Sequence, residues 1–140
     1  MFGDLTGRSG PEASIIYRWF TDPGRRCGYP VEDHANGSRA LVADLRAAVG
    51  RRDDDPARTL VDRLRSGSPG FAALWDLHDV AVMRYRRKRI LHPKVGLLDL
   101  DCQSLIDEDR TQVLALFSPV AGTSTAERLT LLGLTSRPHP

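Results

Sequence analysis

The spacing of apolar residues changes character once along this chain, near Asp79. Before that point the spacing is helical. Ile15, Ile16, Trp19 and Phe20 share one face, and Asp22-Pro23-Gly24 predicts the end of that helix. Pro30 can open the next segment, in which Leu41, Leu45 and Val49 stand four residues apart, and Gly50 reads as its stop. Asp55-Pro56 and Ser68-Pro69 each pair a capping side chain with a proline whose missing N–H costs nothing at a first helical position. The first pair leads into Leu60, Val61 and Leu64, closed by Gly67. The second leads into Phe71, Leu74, Trp75 and His78 at i, i+3, i+4 and i+7.

Beyond Asp79 the period falls to two. Leu98, Leu100 and Cys102 alternate with Asp99 and Asp101, which predicts a strand with one wet face. Val113 to Phe117 is apolar on both faces, the pattern of a central or doubly covered strand. Met83 to Leu91 also suits a strand, with His92-Pro93-Lys94 as the turn after it and Asp107-Glu108-Asp109 as a later polar turn. Sequential strands with short turns predict an antiparallel meander. Ser124-Thr125-Ala126-Glu127 has the form of a capping box opening a last helix through Leu129 and Leu132. Helices followed by a meander make an α+β domain, with the helices on one face or end of the sheet. Residues 135–140 read as a flexible tail.

A length of 140 residues suits one domain, and 20 Lys+Arg against 18 Asp+Glu leave a net charge of only +2. That balance argues against a wholesale nucleic-acid or membrane surface. Eighteen of the twenty cations are Arg, a bias read here as genomic. No apolar run approaches the roughly 20 residues a membrane helix needs, and Met1 to Gly7 lacks the form of a secretory signal. Cys27 and Cys102 do not make a disulfide framework, so the expectation is a cytoplasmic protein with reduced thiols.

Catalytic and metal motifs are not found, and no cofactor is expected. The histidines His34, His78, His92 and His139 form no pair at ligand spacing. His78-Asp79 lacks the further ligands of a metallohydrolase and reads as a helix-end histidine favoured by the dipole. Cys102 is expected to be a buried thiol, whereas Cys27 follows two arginines in a loop. Ser68 and Ser124 are explained as caps, and Gly67-Ser68-Pro69-Gly70 lacks the lysine of a phosphate loop. Asp53-Asp54-Asp55 reads as a solvated turn. The run Arg84-Tyr85-Arg86-Arg87-Lys88-Arg89 fits a solvated face, an anion or partner contact, or a phosphate backbone. The few aromatics gather on two helical segments as Trp19, Phe20, Phe71 and Trp75, which suits a core and equally the wall of an apolar pocket.

Two blocks resemble a known family. Residues Arg63 to Val80 look like the R-S-x-x-F-x-x-L-W-x-x-H-x-V block of the MmyB-like transcription-regulator ligand-binding domain. Lys88 to Leu100 resembles that family's K-x-x-x-H-P-x-V-G-x-L-x-L strand pair. Trp19 to Pro23, Leu41 to Arg46 and the helix from Ser124 to Leu132 fall in the family's order, so the likeness spans about Phe2 to Leu134. The resemblance implies a PAS-like α+β sensor, residues 1–134, holding a small lipid-like or fatty-acid-like ligand. In the family this domain usually follows a helix-turn-helix of the XRE type, whose DNA binding is tuned by ligand occupancy. Two departures stand out. A helix-turn-helix is missing here, and Met1-Phe2-Gly3-Asp4 matches a segment that the family precedes with a short strand and an A-W-N motif. The chain is therefore expected to be truncated within its first sheet element, leaving a strand position for another chain.

The expectation is a non-enzymatic, ligand-sensing bacterial regulatory domain with N-terminal helices packed on an antiparallel sheet and a C-terminal helix. Its pocket would be lined by Trp19, Phe20, Phe71, Leu74 and Trp75. His78, Arg89 and His92 would meet the head group of the ligand. Expected partners are a small lipid-like ligand, DNA only through a helix-turn-helix outside this chain, and no membrane. Two alternatives remain: a nucleic-acid-binding module using Arg84 to Arg89, and a dimerisation domain whose partner is a second copy.

Overall fold

The computed structural model describes residues 10–51, 55–78, 87–106 and 113–135. They form an α+β chain with two compact units, one helical and one built on a sheet. Arg84 to Arg86 of the basic run, the strand start at Met83, Asp79, Asp53 and Asp54, the turn at 107–109, the first four residues and the tail beyond Thr135 lie outside the described residues.

In the helical unit, α1 spans Ile15–Thr21, α2 His34–Arg51, α3 Asp55–Gly67 and α4 Pro69–Asp76. The start of α4 is dictated locally. Ser68 is extended, its hydroxyl accepts the Phe71 N–H at 3.3 Å, and Pro69 occupies the first turn. Gly50 does not stop α2, which continues to Arg51; a glycine inside a final turn costs only about 1 kcal/mol against alanine. The core joins Val42 and Leu45 of α2, Val61 and Leu64 of α3 and Phe71 of α4, with Leu64 and Phe71 fully buried. Each such side chain contributes about 1.5–3 kcal/mol on leaving water. The α4 helix ends at Asp76, short of His78, so the predicted face stops at Trp75. His78 instead adopts φ = 50° and is exposed.

In the sheet unit, β1 (Arg87–His92), β2 (Gly96–Ile106) and β3 (Val113–Pro119) form an antiparallel meander in the order β1-β2-β3. Arg87 stands opposite Asp101 and His92 opposite Gly96, so the β1–β2 hairpin turns through three residues. Gly96 follows at φ = 78°, a conformation that a Cβ would strain. Alternation places Ile90, Leu98, Leu100 and Phe117 on one face, where Leu129 and Leu132 of α5 (Thr125–Thr135) join the cluster with Tyr29 and Val95.

Where β3 ends, the segment into α5 takes over the hydrogen bonds of β2. Val120 N–H donates to the Asp99 carbonyl at 3.0 Å, the Asp99 N–H donates to Thr125 Oγ1 at 2.9 Å, and Arg128 Nη1 donates to the Leu97 carbonyl. These contacts satisfy backbone groups that would otherwise be buried without partners.

Three strand expectations are corrected. The run in β3 is not covered on both faces, since Leu114 and Leu116 are exposed. Among the described residues β3 pairs with β2, and β2 lies between β1 and β3. Asp99 is not on a wet surface but buried, since Arg87 of the neighbouring strand covers it. Cys102 is partly exposed rather than buried.

Candidate functional site

In the helical unit the structure gathers most of the expected pocket residues. The Phe20 and Phe71 rings meet edge to face at 5.2 Å, and Phe71 and Trp75 stack at 5.6 Å. Leu74 packs against the same core, partly buried like Phe20 and Trp75. This is a continuous apolar wall whose inner member, Phe71, is sealed and whose outer members reach solvent.

Trp19 faces a neighbouring polar niche. Its indole N–H donates to Ser38 Oγ at 2.8 Å, and its ring meets His34 edge to face at 5.9 Å. Gly37 makes room for it, because a Cβ there would stand 3.1 Å from the indole. With its N–H satisfied inside the protein, Trp19 is a buried part of the packed interior.

Two arginines flank these rings, and neither is among the site residues expected from the sequence. Arg46 of α2 lays its guanidinium 4.7 Å from the Trp75 centroid and donates through Nη2 to the Trp75 carbonyl. Its Nε is buried without an acceptor among the described residues. Arg26 lies 5.7 Å from the Phe20 centroid and 5.6 Å from that of Trp19, held by a 2.9 Å bond from Nε to the Trp19 carbonyl. Arg46 and Trp75 are 29 residues apart, so no local pattern signals their meeting.

The expected head-group residues are distributed differently. His78 lies in the helical unit, beyond α4, its Nδ1 within 2.7 Å of the Asp76 carbonyl. Arg89 and His92 belong to the sheet unit. His92 Nδ1 accepts the Lys94 N–H at 3.2 Å and so helps form the β1–β2 turn. Arg89 shares a sheet face with Arg87 and Asp99.

Arg87 and Asp99 make a two-pronged ion pair, with Nε–Oδ1 at 2.7 Å and Nη2–Oδ2 at 2.6 Å. These hydrogen bonds hold the Asp99 carboxyl below the ordinary aspartate range against the opposing effect of burial, and they raise Arg87 further. The described part of the basic run is divided between faces: Arg87 and Arg89 point one way, whereas Lys88 lies on the other face with Nζ 5.7 Å from the Phe117 centroid. A cationic stripe suited to a phosphate backbone would need them on one side.

Among the described residues, no three His, Cys, Asp or Glu side chains could hold a metal ion, and no helix is long and apolar enough to cross a membrane. Cys27 is exposed, its Sγ 3.9 Å from the Pro23 carbonyl.

In comparisons with known proteins, the profile of the MmyB-like transcription regulator ligand binding domain matches residues 1–132. None of the curated proteins and none of the solved structures matches the chain.

Proposed function

Since the chain belongs to the family of MmyB-like transcription regulator ligand-binding domains, we propose that it senses an effector with an apolar body and an anionic head, a fatty-acid-like molecule. The family match carries the regulatory part of this reading. Support for the effector class comes from the Phe20–Phe71–Trp75 wall with Leu74 beside it, which offers a surface for an alkyl chain. The guanidinium groups of Arg46 and Arg26 lie over rings of this wall. A carboxylate beside Arg46 would accept a charge-assisted hydrogen bond at its buried Nε.

In this proposal the domain performs no catalysis and acts on DNA through a helix-turn-helix partner module. His78, in the same unit as the wall, is a secondary candidate for the head group. The PAS-like comparison and the cytoplasmic setting belong to the same reading.

The test is thermal unfolding of the chain with decanoic acid and with decanol. Saturation at 100 times Kd stabilises a protein by about 2.7 kcal/mol, so a binding acid raises Tm visibly. The acid is expected to outperform the alcohol, and Arg46→Met is expected to abolish the difference while leaving the response to alcohol. If neither compound moves Tm or the tryptophan fluorescence, and native mass spectrometry of freshly purified protein shows no lipid, the effector class is wrong.

A further inference from the structure

The end of α4 is held in a strained turn. His78, two residues past the helix, has φ = 50°, a conformation that a side chain with a Cβ disfavours and that persists where neighbouring contacts impose it. The His78 N–H donates to the Trp75 carbonyl at 3.3 Å, and the His78 Nδ1 stands 2.7 Å from the Asp76 carbonyl. Arg65 Nη2 holds the Asp76 carboxylate at 3.1 Å. Arg46 adds a clamp from α2: its Nη2 donates to the same Trp75 carbonyl while its guanidinium lies over the Trp75 ring. A cation at this place also meets the negative end of the helix dipole.

The Nε and Nη2 donors of a guanidinium share one edge. The Arg87–Asp99 pair shows what an acid does with it: one carboxylate takes both donors together, at 2.7 and 2.6 Å. In Arg46 the corresponding edge meets a single oxygen, the Trp75 carbonyl on Nη2, and Nε has no acceptor among the described residues. We propose that the acidic head of the effector and the Trp75 carbonyl compete for this edge of Arg46, so that binding of the acid releases the end of α4 and lets the His78 turn relax. This inference rests on the effector reading above and adds to it how occupancy is communicated. A carboxylate wins the contest over a neutral carbonyl because it brings two oxygens and a full opposite charge. An uncharged molecule of the same length covers the wall and leaves the clamp in place. Arg46 is then a positioning residue for α4 without acid and the seat of the head group with it.

Amide hydrogen exchange at His78, followed by NMR on the full chain, reads the clamp directly. Arg46→Met should speed it about two- to fivefold without any ligand, the loss expected when a cation leaves a helix C-terminus. Saturating decanoic acid should speed it by a similar factor in the native chain and add nothing in Arg46→Met. Saturating decanol should leave it unchanged in both. Arg46→Lys keeps the charge without the two-donor edge, and should retain protection while losing the response to acid. The comparison of acid with alcohol uses the native chain alone, so it decides the matter even where a variant does not fold. A native-like rate in Arg46→Met overturns the inference, and so does a rate that decanoic acid leaves unchanged or slows. If the acid raises Tm above the alcohol while the His78 amide does not respond, the effector reading stands and only the competition falls. If the acid moves neither Tm nor the amide, both fall.

Discussion

Replacing Thr125 by valine removes one hydroxyl with almost no change of shape. That hydroxyl accepts the Asp99 N–H at 2.9 Å, in a place where Thr125 is only 1% exposed and water has no ready access. In Thr125→Val the amide has no acceptor, and an orphaned buried donor costs about 1–3 kcal/mol. Thr125→Ser keeps the acceptor and loses one methyl group, about 0.8 kcal/mol. A purely hydrophobic view of the site predicts the reverse order, with valine harmless and serine damaging. Urea unfolding followed by circular dichroism, with fixed m-values, ranks the three proteins. Hydrogen exchange at the Asp99 amide, fast in the valine variant and slow in the other two, localises the effect. Should valine prove as stable as threonine while serine does not, the hydrogen-bonded closure of β2 by α5 contributes nothing and the reasoning fails.

Other outcomes follow from single contacts. Gly37→Ala is expected to lower Tm even though alanine gains up to about 1 kcal/mol of helix propensity, because the new Cβ meets a Trp19 ring fixed by Ser38. Gly50→Ala has open space around it and should raise Tm. The depressed carboxyl of Asp99 contributes stability that is fully present above the ordinary aspartate pKa of about 3.9 and fades as pH falls through its lower folded value. Urea midpoints should therefore fall between pH 5 and pH 2 more steeply in the native chain than in Arg87→Gln. The difference is small because the Arg87 side chain is 60% exposed and solvent screens it.

Much of the fold is legible wherever the signal is local. Ser68-Pro69 specifies the start of α4 through contacts within four residues, and the alternation of Leu98 and Leu100 against their neighbours identifies β2. The readings that needed correction depend on partners distant in sequence. A run apolar on both faces looks the same whether both faces are covered or, as at Leu114 and Leu116 of β3, one is left exposed. Asp99 looks like any solvent-facing aspartate until the β1–β2 register brings Arg87 over it. The aromatic residues of the candidate wall could be selected by helical spacing. The placement of Arg46 on Trp75 arises from packing between α2 and α4 and leaves no mark in either segment alone.

The closure of β2 by the segment into α5 also bears on how the sheet unit can open. Asp99 gives its N–H to Thr125 at the start of α5 and accepts the Val120 N–H at its carbonyl, so loosening the last helix strips partners from the middle of the strand at the same moment. Helix and strand are then one cooperative unit, and their amide hydrogens are expected to exchange together, not the helix first.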